Sequence, residues 1–105
     1  MSQFTVYKNS NPKTRKTFPY LLDIQSDLLD QIRTTVVIPL GKYSTVKKHV
    51  MTKLCPIVEI DGNKYAALTQ QLAGIDRKYL GSAVTSLAEH RAEFIDAIDF
   101  MISGI

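Results

Sequence analysis

Arg33-Thr34-Thr35-Val36-Val37-Ile38-Pro39-Leu40 reads as the clearest strand in the chain. Residues 34 to 38 are β-branched without a break. Such side chains lose rotamer freedom in a helix but pack well on a pleated surface. Gly41 is expected to end the strand. Toward the N-terminus, Phe18-Pro19-Tyr20-Leu21-Leu22-Asp23-Ile24 reads as a second strand, with its proline near the start, where a missing ladder donor is tolerated. Between the two, Ser26-Asp27-Leu28-Leu29-Asp30 reads as a turn. Adjacent leucines point to opposite faces of any strand, and the flanking aspartates favour local turns. Gln3-Phe4-Thr5-Val6-Tyr7 predicts a further strand, antiparallel to the one at 18–24. The breaker cluster Asn9-Ser10-Asn11-Pro12 and the polar residues to Thr17 predict a loop.

Toward the C-terminus, Lys42 to Lys53 predicts a short irregular helix with Val46, Val50 and Met51 on one side. Pro56-Ile57-Val58-Glu59-Ile60, Asp61-Gly62-Asn63 and Lys64-Tyr65-Ala66-Ala67-Leu68 form a strand, turn, strand signal, because Asp-Gly accepts the positive φ of tight hairpins. Thr69 to Ala73 predicts a short strand or turn, and Ile75 to Leu80 a weak last strand closed by Gly81. Val84, Leu87, Ala88, Ile95, Ile98, Met101, Ile102 and Ile105 recur mostly at spacings of three and four, which predicts a helix N-capped by Ser82 and ended or frayed by Gly104. Short strands followed by one helix define a mainly β chain with a C-terminal α-helix, either α+β or a small barrel capped by a helix.

At 105 residues one domain spanning 1–105 is expected, and a second copy would help so short a chain bury surface. No apolar run reaches the length of a membrane span, and Met1-Ser2-Gln3-Phe4 lacks a signal-peptide pattern, so the cytoplasm is the expected location, with no membrane partner. The single cysteine, Cys55, fits a reducing compartment. The net charge of +3 is concentrated. Lys8, Lys13, Arg15 and Lys16 form one basic group, and Lys42, Lys47, Lys48 and Lys53 a second. Neither group has the interleaved aromatics of a nucleic-acid platform, but a basic surface can steer an acidic protein.

The residues offer little reactive chemistry. His49, His90 and Cys55 lack metal-ligand spacing, so no metal and no cofactor are expected. His90 beside Glu89 and Glu93 reads as a solvated or salt-bridged histidine, and Cys55 as a small buried hydrophobe. Asp23, Asp27 and Asp30 fall where aspartate serves local hydrogen bonding. No phosphate-cradling glycine loop and no nucleophile elbow is present, so the chain reads as a binder and not an enzyme.

Phe18 to Asp30 resembles the region of CcdB toxins that contains "VDVQSD"; Val37-Ile38-Pro39-Leu40 resembles their "VIPL", and Pro56-Ile57-Val58-Glu59-Ile60 their "P-V-V-H-I" strand. Leu68-Thr69-Gln70-Gln71-Leu72-Ala73 and the ending from Ala97 to Ile105 match in kind, so the resemblance runs over essentially the whole chain. The resemblance implies an SH3-like β-barrel of the CcdB/Kid toxin type, assembled as a homodimer. It implies a toxin of a type II toxin–antitoxin pair that binds the GyrA subunit and traps gyrase on cleaved DNA, meeting DNA only indirectly. It also implies neutralisation by a CcdA-like antitoxin with a disordered tail. Carried over by position, the gyrase-binding residues are Phe4, Leu28, Leu29, Asp99, Met101, Ser103, Gly104 and Ile105. The basic residues Lys8, Lys13, Arg15, Lys16 and Lys42 are assigned to the antitoxin. Two departures stand out: Ser103 replaces the tryptophan of the family's Trp-Gly-Ile ending, and Ile75-Asp76-Arg77 replaces an expected Val-Pro-Val. Two rival readings remain. One is an endoribonuclease of the MazF and Kid type, using Arg33 with Asp23 or Asp27, or Arg15 with His49. The other is a weakly active or inactive homologue that mainly binds antitoxin.

Overall fold

The computed structural model describes residues 3–104. Its hub is the strand read first. β3, Thr34–Lys42, is the longest strand and pairs with three others. On one side lies β2, Tyr20–Asp23, with Leu21 opposite Pro39 and Asp23 opposite Val37. On the other side β3 is shared. Its first half pairs with β6, Ala73–Asp76, and its last residues with β5, Asn63–Ala67. Pro39 sits where the two partners diverge. Its carbonyl accepts the Leu68 N–H at 3.0 Å, so its nitrogen faces the same gap, where no ladder donor is required.

β4, Ile57–Ile60, joins β5 through Asp61 and Gly62, both at positive φ, as a two-residue hairpin. β1, Thr5–Asn9, pairs antiparallel with β2 and, through two irregularities, with β7, Leu80–Ser86. The sheet order is β4-β5-β3-β2-β1-β7, with β6 also on β3, which gives a curled, partly open antiparallel barrel. Two helices complete it: α1, Tyr43–Val46, and α2, Arg91–Ser103.

The alternation expected of half-buried strands places Val6, Leu22, Ile38, Leu40, Val58 and Ile60 in one core, closed by Phe94 of α2. A second cluster, Val46, Leu54, Cys55, Ala66 and Leu68, lies under Phe100 and Met101 at the far end of the helix.

Several local expectations are corrected. β3 runs through Gly41 to Lys42 because β5 continues the ladder there. Met51 is exposed; within residues 42–53 Val46 is buried and Val50 packs half-buried against the second cluster. Gly81 lies within β7, and a Cβ there would come within 2.9 Å of the Lys8 carbonyl oxygen, so glycine permits the close pairing with β1. Ser82 and Val84 are therefore strand residues, and Ser82 caps nothing. A single 3-10 turn at Ala88–His90 leads into α2. The first strand begins at Thr5 because Phe4 has φ 67°, outside any strand conformation.

Candidate functional site

Three surfaces carry the candidate residues. The first is the end of α2. Asp99 and Ser103 are exposed, and Met101 is half-buried against the second cluster. The Ser103 hydroxyl donates to the Asp99 carbonyl at 2.7 Å, a back-bond within the helix. Gly104 takes φ 73° and donates its N–H to the Phe100 carbonyl at 2.8 Å, the left-handed cap that stops the helix as expected. Ile105 lies outside the described residues. Sequence reasoning did not single out Ile102, which is 76% exposed just inside this cap. The signal was its place at the edge of the apolar stripe, beyond the sheet that the stripe covers.

The second surface is the turn after β2. Asp27–Leu29 is one 3-10 turn, capped by the Ser26 hydroxyl accepting from the Leu28 N–H at 3.2 Å. Leu28 is 92% exposed, and Leu29 and Ile32 are exposed beside it. The turn is held from outside. Arg77, from the turn after β6, donates Nε to the Ile32 carbonyl at 2.6 Å and Nη2 to the Leu29 carbonyl at 3.2 Å. Its Nη1 lies 3.9 Å from Asp23, whose other carboxylate oxygen accepts from the Thr35 hydroxyl at 2.7 Å. Arg77 thus belongs to this surface, and its signal was the departure at 75–77. Asp23, Asp27 and Asp30 surround it in a cavity of about 200 Å³.

Phe4 joins neither surface. It is 2% exposed, with its ring stacked on Phe94 at 5.9 Å and its backbone bonded to Asp23 and Leu87. Phe4, assigned by resemblance to the gyrase contact, is in this chain the buried seat on which α2 docks. Nor does one chain bring the Leu28 turn and the helix end together. The helix end packs on Leu54, Cys55 and Leu68, whereas the turn is tied to β6 and to Gln3.

The third surface is basic. Lys8, Lys13, Arg15, Lys16 and Lys42 are all exposed. Register places Lys8 opposite Tyr20, and Tyr20 opposite Leu40, so the 10–19 loop and Lys42 share one end of the sheet. The Leu28 turn occupies the opposite end of β2 and β3. The basic loop is built on successive turns, with Arg15 N–H donating to the Asn11 carbonyl and Phe18 N–H to the Thr14 carbonyl. The buried Asn9 braces it, donating to the Thr14 hydroxyl and the Phe18 carbonyl, both at 2.9 Å.

Among the described residues no ion pair joins Arg33 to Asp23 or Asp27. Arg33 lies 3.5 Å from Asp76. Arg15 and His49 are exposed on separate segments. His90 makes a 3.1 Å contact with Glu93, and Cys55 is buried with its thiol 3.3 Å from Gln70, as the residues suggested. Burial, then the nearby Asp23 carboxylate, pushes the Tyr7 phenol above its ordinary value of 10.0. No helix among the described residues is long and apolar enough to cross a membrane.

The curled antiparallel sheet closed by a C-terminal helix is a helix-capped SH3-like barrel of the CcdB/Kid type. The fold is similar to that of a solved structure described as an endoribonuclease in complex with its cognate antitoxin from Mycobacterial species, with a TM-score of 0.74 over 97% of this chain and 94% of that one. Sequence identity is 8%, so the likeness is one of fold. The family model described as CcdB protein matches residues 3–104, and the chain belongs to the CcdB family. It is accordingly a toxin of the toxin–antitoxin class.

Proposed function

We propose that this toxin acts as a homodimer by binding the GyrA subunit of DNA gyrase and trapping the enzyme on cleaved DNA, and that a CcdA-like antitoxin neutralises it. The observation that carries the reading is the display of large apolar side chains on braced frames: Leu28 at 92% exposure on a clasped turn and Ile102 at 76% on a capped helix end. Interfaces draw most of their energy from a few such anchors. Ser103 is turned back onto its own helix, so Ile102 and the Leu28 turn take the place of the family's tryptophan. Asp99, Met101, Gly104 and Ile105 complete the gyrase surface, and the basic residues Lys8, Lys13, Arg15, Lys16 and Lys42 serve the antitoxin.

The ribonuclease reading draws on one observation, an arginine beside a carboxylate in a cavity. Arg77 is already spent on two backbone carbonyls, however, and a phosphodiester entering there would face Asp23, Asp27 and Asp30. Binding is the better account.

Calorimetric titration of GyrA tests it. Leu28→Ser and a chain ending at Ser103 are each expected to bind at least about tenfold more weakly than the native protein, the loss typical of a hot-spot residue. Native affinity in both variants would remove these surfaces from the site.

A further inference from the structure

We propose that the face of the sheet turned away from the main core holds an anchor slot for one apolar side chain of an acidic peptide segment, and that the slot selects the antitoxin jointly with the basic loop. The proposal rests on the antitoxin reading above and adds what the charge does not specify.

The slot has a volume of about 180 Å³. Its floor is Leu21, Val37 and Pro39, whose side chains leave the opposite face of β2 and β3 from Leu22, Ile38 and Leu40. Phe18, Ala73 and Ile75 line its sides. An apolar cavity of ~150 Å³ stays dry and accepts a benzene ring, so this slot suits one leucine or phenylalanine side chain.

The chemistry of the partner follows from the rim. Asn9, Asn11 and Thr14 line the slot and belong to the same turn structure that displays Lys13, Arg15 and Lys16. Arg15 and Lys13 are bonded through their N–H groups to Asn11 itself. No acidic residue lines the slot. A segment lying across it therefore meets apolar surface below and three cations alongside. That combination fits an extended peptide with one large apolar residue among acidic ones. The Asn9 brace sets the loop before the peptide arrives, which lowers the ordering cost of binding.

The test uses two labelled Asp/Glu-rich peptides of equal charge, one with a central leucine and one with alanine there, titrated by fluorescence anisotropy. The native protein is expected to bind the leucine peptide about tenfold more tightly, the effect of burying one such side chain. In Ala73→Trp, which fills the slot from its exposed edge, the preference should vanish while weak binding of both peptides persists. Lys13→Glu, Arg15→Glu and Lys16→Glu together should weaken both peptides and keep the leucine preference. Equal binding of the two peptides by the native protein, or a leucine preference that survives Ala73→Trp, would overturn the slot. Unchanged binding in the charge-reversed variant would instead overturn the antitoxin reading of the basic loop, and with it the acidic partner.

Discussion

Arg77 shows how one side chain fixes a surface it does not itself present. Its guanidinium bridges two carbonyls of the Leu28 turn at 2.6 and 3.2 Å while standing beside the buried Asp23. Arg77→Met keeps the packing volume but removes these donors. It is expected to raise backbone mobility at residues 27–32 in NMR relaxation and weaken GyrA binding several-fold, with Arg77→Lys recovering part of the loss. Rigid 27–32 amides in Arg77→Met would show that the turn needs no clasp. Tyr7 gives a pH prediction. Burial first, then Asp23, raises its pKa in the fold, so its contribution is complete below the ordinary value of 10.0 and is lost as pH rises through the folded value. The urea midpoint is therefore expected to hold up to about pH 9 and to fall above 10.0, less steeply in Tyr7→Phe. A midpoint that stays flat above that value would contradict it. At this scale the sequence was informative about Leu28 and Leu29 through the flanking Asp27 and Asp30, which favour a turn; adjacency alone does not decide, since Leu21 and Leu22 are both buried on β2. It could not reveal Phe4, whose positive φ follows from tertiary contacts with Asp23, Leu87 and Phe94.

Elements with strong local patterns were legible. The β-branched run marked β3, and the Asp61-Gly62 pair marked its hairpin, because both signals act within a few residues. The C-terminal helix was legible in its last half and misread at its start. Val84 and Leu87 lie at helical spacing from later apolar residues, yet the Ser82–Ser86 backbone is taken by pairing with β1. Non-local pairing is invisible to periodicity, and it overrides a weak local preference. The same reason hid the split of β3 between β5 and β6. The basic loop was legible as charge, whereas the Asn9 brace that shapes it was not, since the bonds depend on where Thr14 and Phe18 return.

The whole molecule separates its surfaces. The basic loop and Lys42 stand at one end of β2 and β3, the Leu28 turn at the other, and the α2 end lies over the second apolar cluster. One chain does not bring the turn and the helix end together, and a two-fold dimer supplies the natural way to present them in duplicate. The melting temperature is accordingly expected to rise with protein concentration; an apparent value independent of concentration would argue for a monomer. The central claim, that the toxin acts on gyrase by contact and not by cleaving RNA, is met most directly by incubating the native protein with purified gyrase, supercoiled plasmid and ATP, with free RNA in a parallel tube. The account predicts linear DNA that appears only when the protein is present, with the RNA intact. Intact plasmid together with degraded RNA would contradict it.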